Sequence, residues 1–175
     1  MPQGKRTAYG FTDQSAMRAA LHRVYELSYT LPDVPLYTYR DEIAGLGDTE
    51  VDRVRKERIG QDLYRRALLR YWEGCCPLTG ITEPALLRVS HIVAWSECDT
   101  DAERLDVHNG LLLFAHWDAA FDEGLISFAD DGRPLVKAEL SPAAEFALAV
   151  SSVPPLSLTD EHTSRLARHR NRHGF

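Results

Sequence analysis

The segment 76–128 alternates short, mainly apolar runs with polar residues, and it constrains the fold more than any other part of the chain. Residues 85–89 and 111–114 form the apolar runs, and a histidine follows each of them, His91 after the first and His116 after the second. Short apolar runs with polar boundaries are typical of buried strands. The segment therefore predicts two strands joined by a loop, with polar chemistry where the strands end.

A short helix is predicted directly after the second strand. Residues 115–123 carry apolar side chains at helical spacing, and Gly124 can end the helix. The order strand, loop, strand, helix brings polar side chains from distant positions toward one place. These side chains are His91, Asn109, His116 and Asp118.

The order of these residues resembles that of the HNH endonucleases. The runs C-x-x-T-G, S-H-I, N-G-L-L-L and F-D-x-G-L-I-S-F are similar to those of the HNH nucleases common in bacterial restriction and defence. These motifs cover about a third of the chain, and weaker similarity extends to R-I-G-Q at 58–61 and to His169-Arg170. The resemblance implies an α+β fold, in which N- and C-terminal helices wrap a ββα-metal core.

The resemblance also implies a function, which is the metal-dependent hydrolysis of DNA phosphodiester bonds in restriction or defence. The implied cofactor is a divalent metal ion, Mg²⁺ or Mn²⁺, and the implied partner is DNA. Cutting both strands with one metal per site would need either a homodimer or two encounters with the DNA. The same core would also serve an RNase or a nicking nuclease. A catalytically impaired DNA-binding or regulatory module is the alternative from a different class of protein.

Within this resemblance His91 has the role of the general base that activates water. An imidazole with a pKa near 6.5 can accept a proton at neutral pH. A lone histidine at a strand end is more often structural, but the surrounding motifs favour the catalytic role. The resemblance gives Asn109 the task of tying the loop between the strands and so orienting His91; the alternative is a plain Asn-Gly turn.

The metal ligands are predicted on the helix. The family usually places a histidine or asparagine ligand where this chain has Asp118, and a carboxylate suits Mg²⁺ or Mn²⁺. His116 lies two residues earlier, about 200° away on an ideal helix, so the two should not hold one ion together. Ser90 stands where the family has an aspartate ligand. The second protein ligand is therefore left open among His116, Asp122, a carbonyl or a water.

The net charge of −6 argues against general coating of nucleic acid, because lysines and arginines supply phosphate affinity. Local clusters matter more, and one of them lies within residues 53–70. Its members predicted to contact DNA are Arg55, Arg58, Gln61 and Arg65. The rival cluster is the arginine group at 165–172. Solvated helix faces would explain both, and Arg58 can alternatively pair with Glu57 or Asp62.

A chain of 175 residues predicts one compact domain, with a helical N-terminal region, 1–74, packed on a nuclease core with a C-terminal hairpin and helices, 75–175. Helices are expected at 13–29 and 50–72, from Pro142, and from Thr159 or Asp160. A brief strand is expected at 36–40 after a non-helical 31–35. Neither a signal peptide nor a membrane span is evident, so a cytoplasmic protein is expected.

Overall fold

The computed structural model describes residues 10–175, which begin with three helices. The helices are α1 (Gln14–Ser28), α2 (Asp33–Ile43) and α3 (Glu50–Tyr71). Asp13 caps α1 by accepting the amide of Ala16, and Thr49 caps α3 in the same way. The predicted helices at 13–29 and 50–72 are confirmed, whereas residues 1–9 of the predicted N-terminal region lie outside the described residues.

The second helix corrects the sequence prediction. Neither the non-helical segment at 31–35 nor the strand at 36–40 forms, because α2 runs through both from Asp33 onward. Pro35 is the third residue of this helix, where a backbone N–H has no partner within the helix, so proline costs little there. Leu36 and Tyr39 become buried, and α2 packs against α3.

The centre of the molecule is an antiparallel pair of strands, β1 (Leu87–His91) and β2 (Gly110–Phe114). The connection between them contains α4 (Asp101–Leu105) and single 3₁₀ turns at Trp95–Glu97 and Val107–Asn109. The first strand lies two residues later than predicted, because Ser90 and His91 still pair with β2. The predicted loop between the strands thus contains short helical elements, and its Leu105 is buried.

A helix and a hairpin follow the strands as predicted. The helix α5 (Ala115–Asp122) begins at the end of β2, and Gly124 follows it with a positive φ of 66°. The hairpin consists of β3 (Ile126–Phe128) and β4 (Pro134–Val136), followed by α6 (Pro142–Leu148) and α7 (Asp160–His173). A last 3₁₀ turn covers Val150–Ser152. The α+β class is confirmed.

Two hydrophobic clusters cover the central strands. The larger one surrounds β2, α5 and β3 and includes Trp117, Phe121 and Phe128. The smaller one joins α2, α3 and α4 and includes Tyr64 and Leu105. Val89 packs against both clusters, so the strand that carries His91 is held between them.

Glycine permits α3 to pack closely at two places. A Cβ at Gly60 would lie 2.7 Å from the Trp95 ring, and one at Gly110 would lie 2.0 Å from the Tyr64 hydroxyl. The helix therefore does not break at Gly60, and the glycine serves the approach of Trp95 instead. Along this helix Val51 is 77% exposed, whereas Tyr64 is buried.

The C-terminal helix α7 is fixed to the core through His169. Its Nδ1 lies 3.0 Å from the Ser127 hydroxyl, its Nε2 donates to the Phe121 carbonyl at 3.1 Å, and its ring stacks on Phe121 at 3.9 Å. Burial, assisted by the nearby His173, lowers the pKa of His169 to about 4. The ring is therefore neutral in the folded protein at neutral pH. None of the helices in the described residues has the length and apolar composition needed to cross a membrane.

Acid should destabilise the fold through His169. The unfolded chain binds the proton with the ordinary pKa near 6.5, so the contribution of His169 is complete above that pH and is lost as the pH falls toward 4. Between pH 7 and pH 5 we expect this residue to account for about 2 kcal/mol of the free energy of unfolding. Urea unfolding of the parent and His169→Gln at both pH values measures this.

The exposed His22 provides the control for this experiment. Its side chain is 76% exposed, so His22→Gln should keep the pH dependence of the parent. The same pH dependence in His169→Gln and in the parent would contradict the prediction.

Candidate active site

The ββα unit places His91 and Asn109 at the same end of the central strands. His91 is the last residue of β1 and pairs with Gly110, the first residue of β2. Asn109 directly precedes β2, and α5 starts at the far end of that strand. Ser90 and His91 point to opposite faces of β1, but His91 and Asp122 of α5 line one cleft.

His91 is held on three sides. Its ring stacks on Tyr64 at a centroid distance of 4.1 Å, its edge faces Trp95 at 5.6 Å, and Nε2 lies 3.1 Å from the Arg104 carbonyl. A carbonyl only accepts, so Nε2 must carry the proton, and the lone pair of the neutral ring is on Nδ1. No residue within 10–175 hydrogen-bonds to Nδ1. The ring therefore offers one free basic nitrogen.

The pKa of His91 reflects two opposed effects. Burial lowers the pKa, because the charged ring loses hydration, and the Arg104 carbonyl acts in the other direction. The imidazole is thus largely neutral at neutral pH and can accept a proton. This is the protonation state that a general base requires.

Asn109 holds the segment between the strands from within. Its Oδ1 accepts the amide of Val93 at 2.9 Å, and its Nδ2 lies near the carbonyls of Val93 and Glu103 at 3.1 and 3.3 Å. The side chain is fully buried. The amide therefore joins both ends of the connection, since Val93 follows β1 and Glu103 lies in α4. This arrangement fits the orienting role expected from the sequence better than a plain turn.

The same connection is held from outside by α7. Three arginines of α7 form ion pairs with its carboxylates: Arg165 with Asp106, Arg168 with Glu103, and Arg172 with Glu97. Arg170 pairs with Asp130 in the neighbouring hairpin. The arginine group at 165–172 is therefore engaged within the protein, and the cluster in α3 becomes the better candidate for DNA contact.

Ser90 and Asp118 meet on the other face of β1. The Ser90 hydroxyl donates to the Asp118 carboxylate at 2.5 Å, and Ser90 is buried. Asp122 follows one helical turn later, and its pKa is raised to about 6, first by burial and then by the charge of Asp118. Ser90 and the predicted metal ligand Asp118 are therefore adjacent in the fold, and both side chains offer oxygen atoms to a cation.

His116 does not join this group. It is exposed, and its ring packs against Phe114 at 4.7 Å. Within residues 10–175 no group of three or more His, Cys, Asp and Glu side chains is arranged to hold a metal ion. The three cysteines are free and are at least half-buried.

The predicted DNA-contact residues lie along one side of α3, because positions 58, 61 and 65 recur at helical spacing. Gln61 and Arg65 line a cleft together with Tyr64, Trp95 and His91. Their side chains also have local partners, since Gln61 binds Glu57 at 3.0 Å and Arg65 donates to the Pro84 carbonyl at 3.1 Å.

Arg55 and Arg58 lie farther along the same helix and are exposed. No carboxylate of the described chain comes within 4.0 Å of either guanidinium, so the expected alternative pairing of Arg58 with Glu57 or Asp62 does not form.

Three contributors to the site were not identified from the sequence. Tyr64, Trp95 and Arg104 all contact His91, and none of the three is among the predicted site residues. Each acts through a contact distant in sequence, for which the chain carries no local signal. The spacing from Gly60 to Tyr64 is the one local indication that Tyr64 faces the Trp95 side of the helix, since residues i and i+4 share a helix face.

The comparison with known families agrees with this geometry. Residues 76–129 match a family model, HNH_2, described as HNH endonuclease. No curated protein matches the chain. The matched segment contains β1, β2, α5 and β3, and it excludes α3, which supplies Tyr64, and α7. The chain therefore carries a domain of the HNH endonuclease family, which occupies residues 76–129.

Proposed function

We propose that the chain is a metal-dependent endonuclease that hydrolyses DNA phosphodiester bonds, in restriction or defence. The observation that carries the proposal is the state of His91, a neutral imidazole fixed at Nε2 and free at Nδ1, inside an HNH segment. HNH proteins usually hydrolyse nucleic acids, so a nuclease is supported at the coarse level. The substrate and the biological setting are our inference.

His91 would remove a proton from the attacking water through Nδ1. As Nδ1 takes the proton, the ring becomes an imidazolium, and the Arg104 carbonyl that accepts from Nε2 stabilises the new charge. The stacked Tyr64 and the edge of Trp95 keep the ring plane fixed during this transfer. A positioned general base of this kind typically contributes about 10²–10⁴ in rate.

A divalent metal ion is the cofactor that HNH nucleases generally use. The residues present fit a hard cation, because Asp118 and Asp122 offer carboxylates and Ser90 orients the Asp118 carboxylate. Mg²⁺ usually keeps several waters and takes one or two protein carboxylates, so a group of three protein ligands is not required. When bound, the ion would neutralise charge on the phosphoryl oxygens. We propose Asp118 as its main ligand.

DNA would approach along α3. Arg55 and Arg58 are exposed without a carboxylate partner, and Arg65 and Gln61 continue the same side toward His91. The competing arginines of α7 are paired with acidic side chains. Because guanidinium groups that lack internal partners are free to replace counterions on phosphate, this side of α3 is the supported contact.

The second candidate is a catalytically impaired DNA-binding module, and Ser90 is the observation in its favour. A hydroxyl is a weak ligand where the family has a carboxylate. Supercoiled plasmid incubated with Mg²⁺ or Mn²⁺ separates the two functions, since only a nuclease produces nicked or linear DNA. An RNA substrate in the same assay tests the RNase alternative.

A homodimer and a cytoplasmic location stay predictions. The apolar side of α1 is consistent with a second copy, because Leu21 and Val24 are 59% and 65% exposed. Light scattering of the purified protein tests the dimer directly, and a monomer at all concentrations would refute it.

Replacing His91 by alanine should abolish cleavage and leave DNA affinity within about twofold. The base acts only in the transition state, so we expect kcat to fall by about 10²–10⁴. Plasmid cleavage under single-turnover conditions measures the loss. His22→Ala, at an exposed histidine of α1, should cleave like the parent. A His91 variant that retains half of the parental rate would refute the assignment.

Replacing Asp118 by alanine should weaken metal binding and suppress cleavage, with partial recovery at high Mn²⁺. Hard cations prefer carboxylate oxygen, and this residue is the best-placed donor. His116→Ala should have a milder effect, because His116 lies apart on the exposed side of α5. Calorimetric titration of Mn²⁺ decides between them, and a large loss in the histidine variant alone would reverse the assignment.

Replacing Arg55, Arg58 and Arg65 together by alanine should weaken DNA binding and its salt dependence. Each lost phosphate contact lowers the slope of log affinity against log salt by up to about 0.9. Binding measured in Ca²⁺ at several salt concentrations gives the slope. Arg133→Ala, which removes an exposed arginine paired with Asp131, is the control. An unchanged slope in the triple variant would place DNA on another surface.

A further inference from the structure

Arg104 provides two different groups to the connection between β1 and β2. Its backbone carbonyl accepts from His91 Nε2 at 3.1 Å. Its guanidinium donates through Nε to the Trp95 carbonyl at 3.1 Å, and through its terminal nitrogens to the Cys98 carbonyl and to Asp101 at 2.5 and 3.0 Å. One residue therefore contacts the predicted base and also fastens the segment that surrounds it.

The carbonyl is available because of its place in the secondary structure. Arg104 lies in the last turn of α4, and the last four carbonyls of a helix have no partner within the helix. The end of α4 thus directs an unsatisfied acceptor toward His91. A small rotation of this five-residue helix would move the acceptor away from the ring.

The guanidinium resists such a rotation. Trp95 and Cys98 lie before α4, and Asp101 is its first residue, so the side chain joins the start of the segment to the end of the helix. The side chain is only 24% exposed, which reduces competition from water. A planar fork of several N–H donors satisfies these acceptors at once, whereas a lysine ammonium is a point charge that cannot span them.

We infer that Arg104 is a positioning residue that fixes the imidazole of His91 for catalysis by locking the end of α4 against the Trp95–Cys98 turn. The inference rests on the proposed function in one respect, because it assigns to His91 the task of general base. The contacts themselves do not depend on that assignment. Arg104 need not touch the substrate to perform this role.

The other arginines near this segment act differently. Arg168 reaches Glu103 from α7, and its side chain is 49% exposed. An exposed ion pair of this kind contributes only about 0–1 kcal/mol. Arg168→Gln is therefore a matched control, since it removes an arginine contact from the same segment and leaves the fork of Arg104 in place.

The test compares the parent with Arg104→Gln, Arg104→Lys and Arg168→Gln. A hydrogen-bonded imidazole N–H exchanges slowly enough to give a downfield proton signal, which His91→Gln assigns by its loss. We expect the signal in the parent and in Arg168→Gln, its loss in Arg104→Gln and a weakened signal in Arg104→Lys. This readout requires no cleavage.

Cleavage and binding give the second readout. A misplaced catalytic group costs roughly 10–100-fold in rate, so we expect that fall in kcat for Arg104→Gln, with DNA affinity in Ca²⁺ changed less than twofold. Arg104→Lys should recover part of kcat, and Arg168→Gln should match the parent. Should Arg104→Gln fail to fold, the lysine variant carries the comparison.

The two proposals fail in different ways. An unchanged His91 signal in the folded Arg104 variants overturns the positioning role, whatever the cleavage rates are. A proportionate loss of kcat and DNA affinity also overturns it, since that pattern indicates general damage. If the parent does not cleave nucleic acid but the signal changes as expected, the nuclease proposal fails and the positioning role of Arg104 stands.

Discussion

The buried amide of Asn109 is the interaction on which the site depends. Eighteen residues separate the end of β1 from the start of β2, and their backbone groups have few ladder partners. Asn109 satisfies both backbone groups of Val93 and reaches the Glu103 carbonyl, so one side chain fastens the two ends of this connection. A buried polar group without a hydrogen-bond partner costs about 1–3 kcal/mol. Replacing Asn109 by a shorter polar or an apolar residue would therefore lower the stability of the protein. Arg104, whose carbonyl accepts from His91, directly follows the residue that Asn109 holds.

Part of the site was predictable because it is local. The strand endings, the helix at α5 and the capping of α1 and α3 follow from spacing and from residue type within a few positions. His91 and Asn109 were predicted from short motifs, and both lie within the segment that matches the HNH family model. The N-terminal half was less predictable, and α2 shows why. Pro35 suggested a break, but its position in the first turn is compatible with helix, and only packing against α3 reveals that register.

The remaining features depend on contacts that the sequence does not encode locally. Arg104 and Tyr64 reach His91 from α4 and α3, thirteen and twenty-seven residues away in the chain. The arginine group at 165–172 looked like a second nucleic-acid surface, and only the fold pairs it with the acidic connection. Charge counts could not make this distinction. A cluster of one sign is informative about partners only when the positions of the opposite charges are known.

The packing of His91 on α3 fixes the distance between its imidazole and the exposed arginines of that helix. Tyr64 stacks on the His91 ring, and Arg55 lies nine residues earlier on the same helix, a separation of about 14 Å along its axis. Helix rise is nearly constant, so this offset cannot adjust to the ligand. A phosphate backbone bound by Arg55 would therefore lie at a fixed distance from the His91 imidazole. That distance is set by the number of helical residues between Arg55 and Tyr64, not by the conformation of a loop.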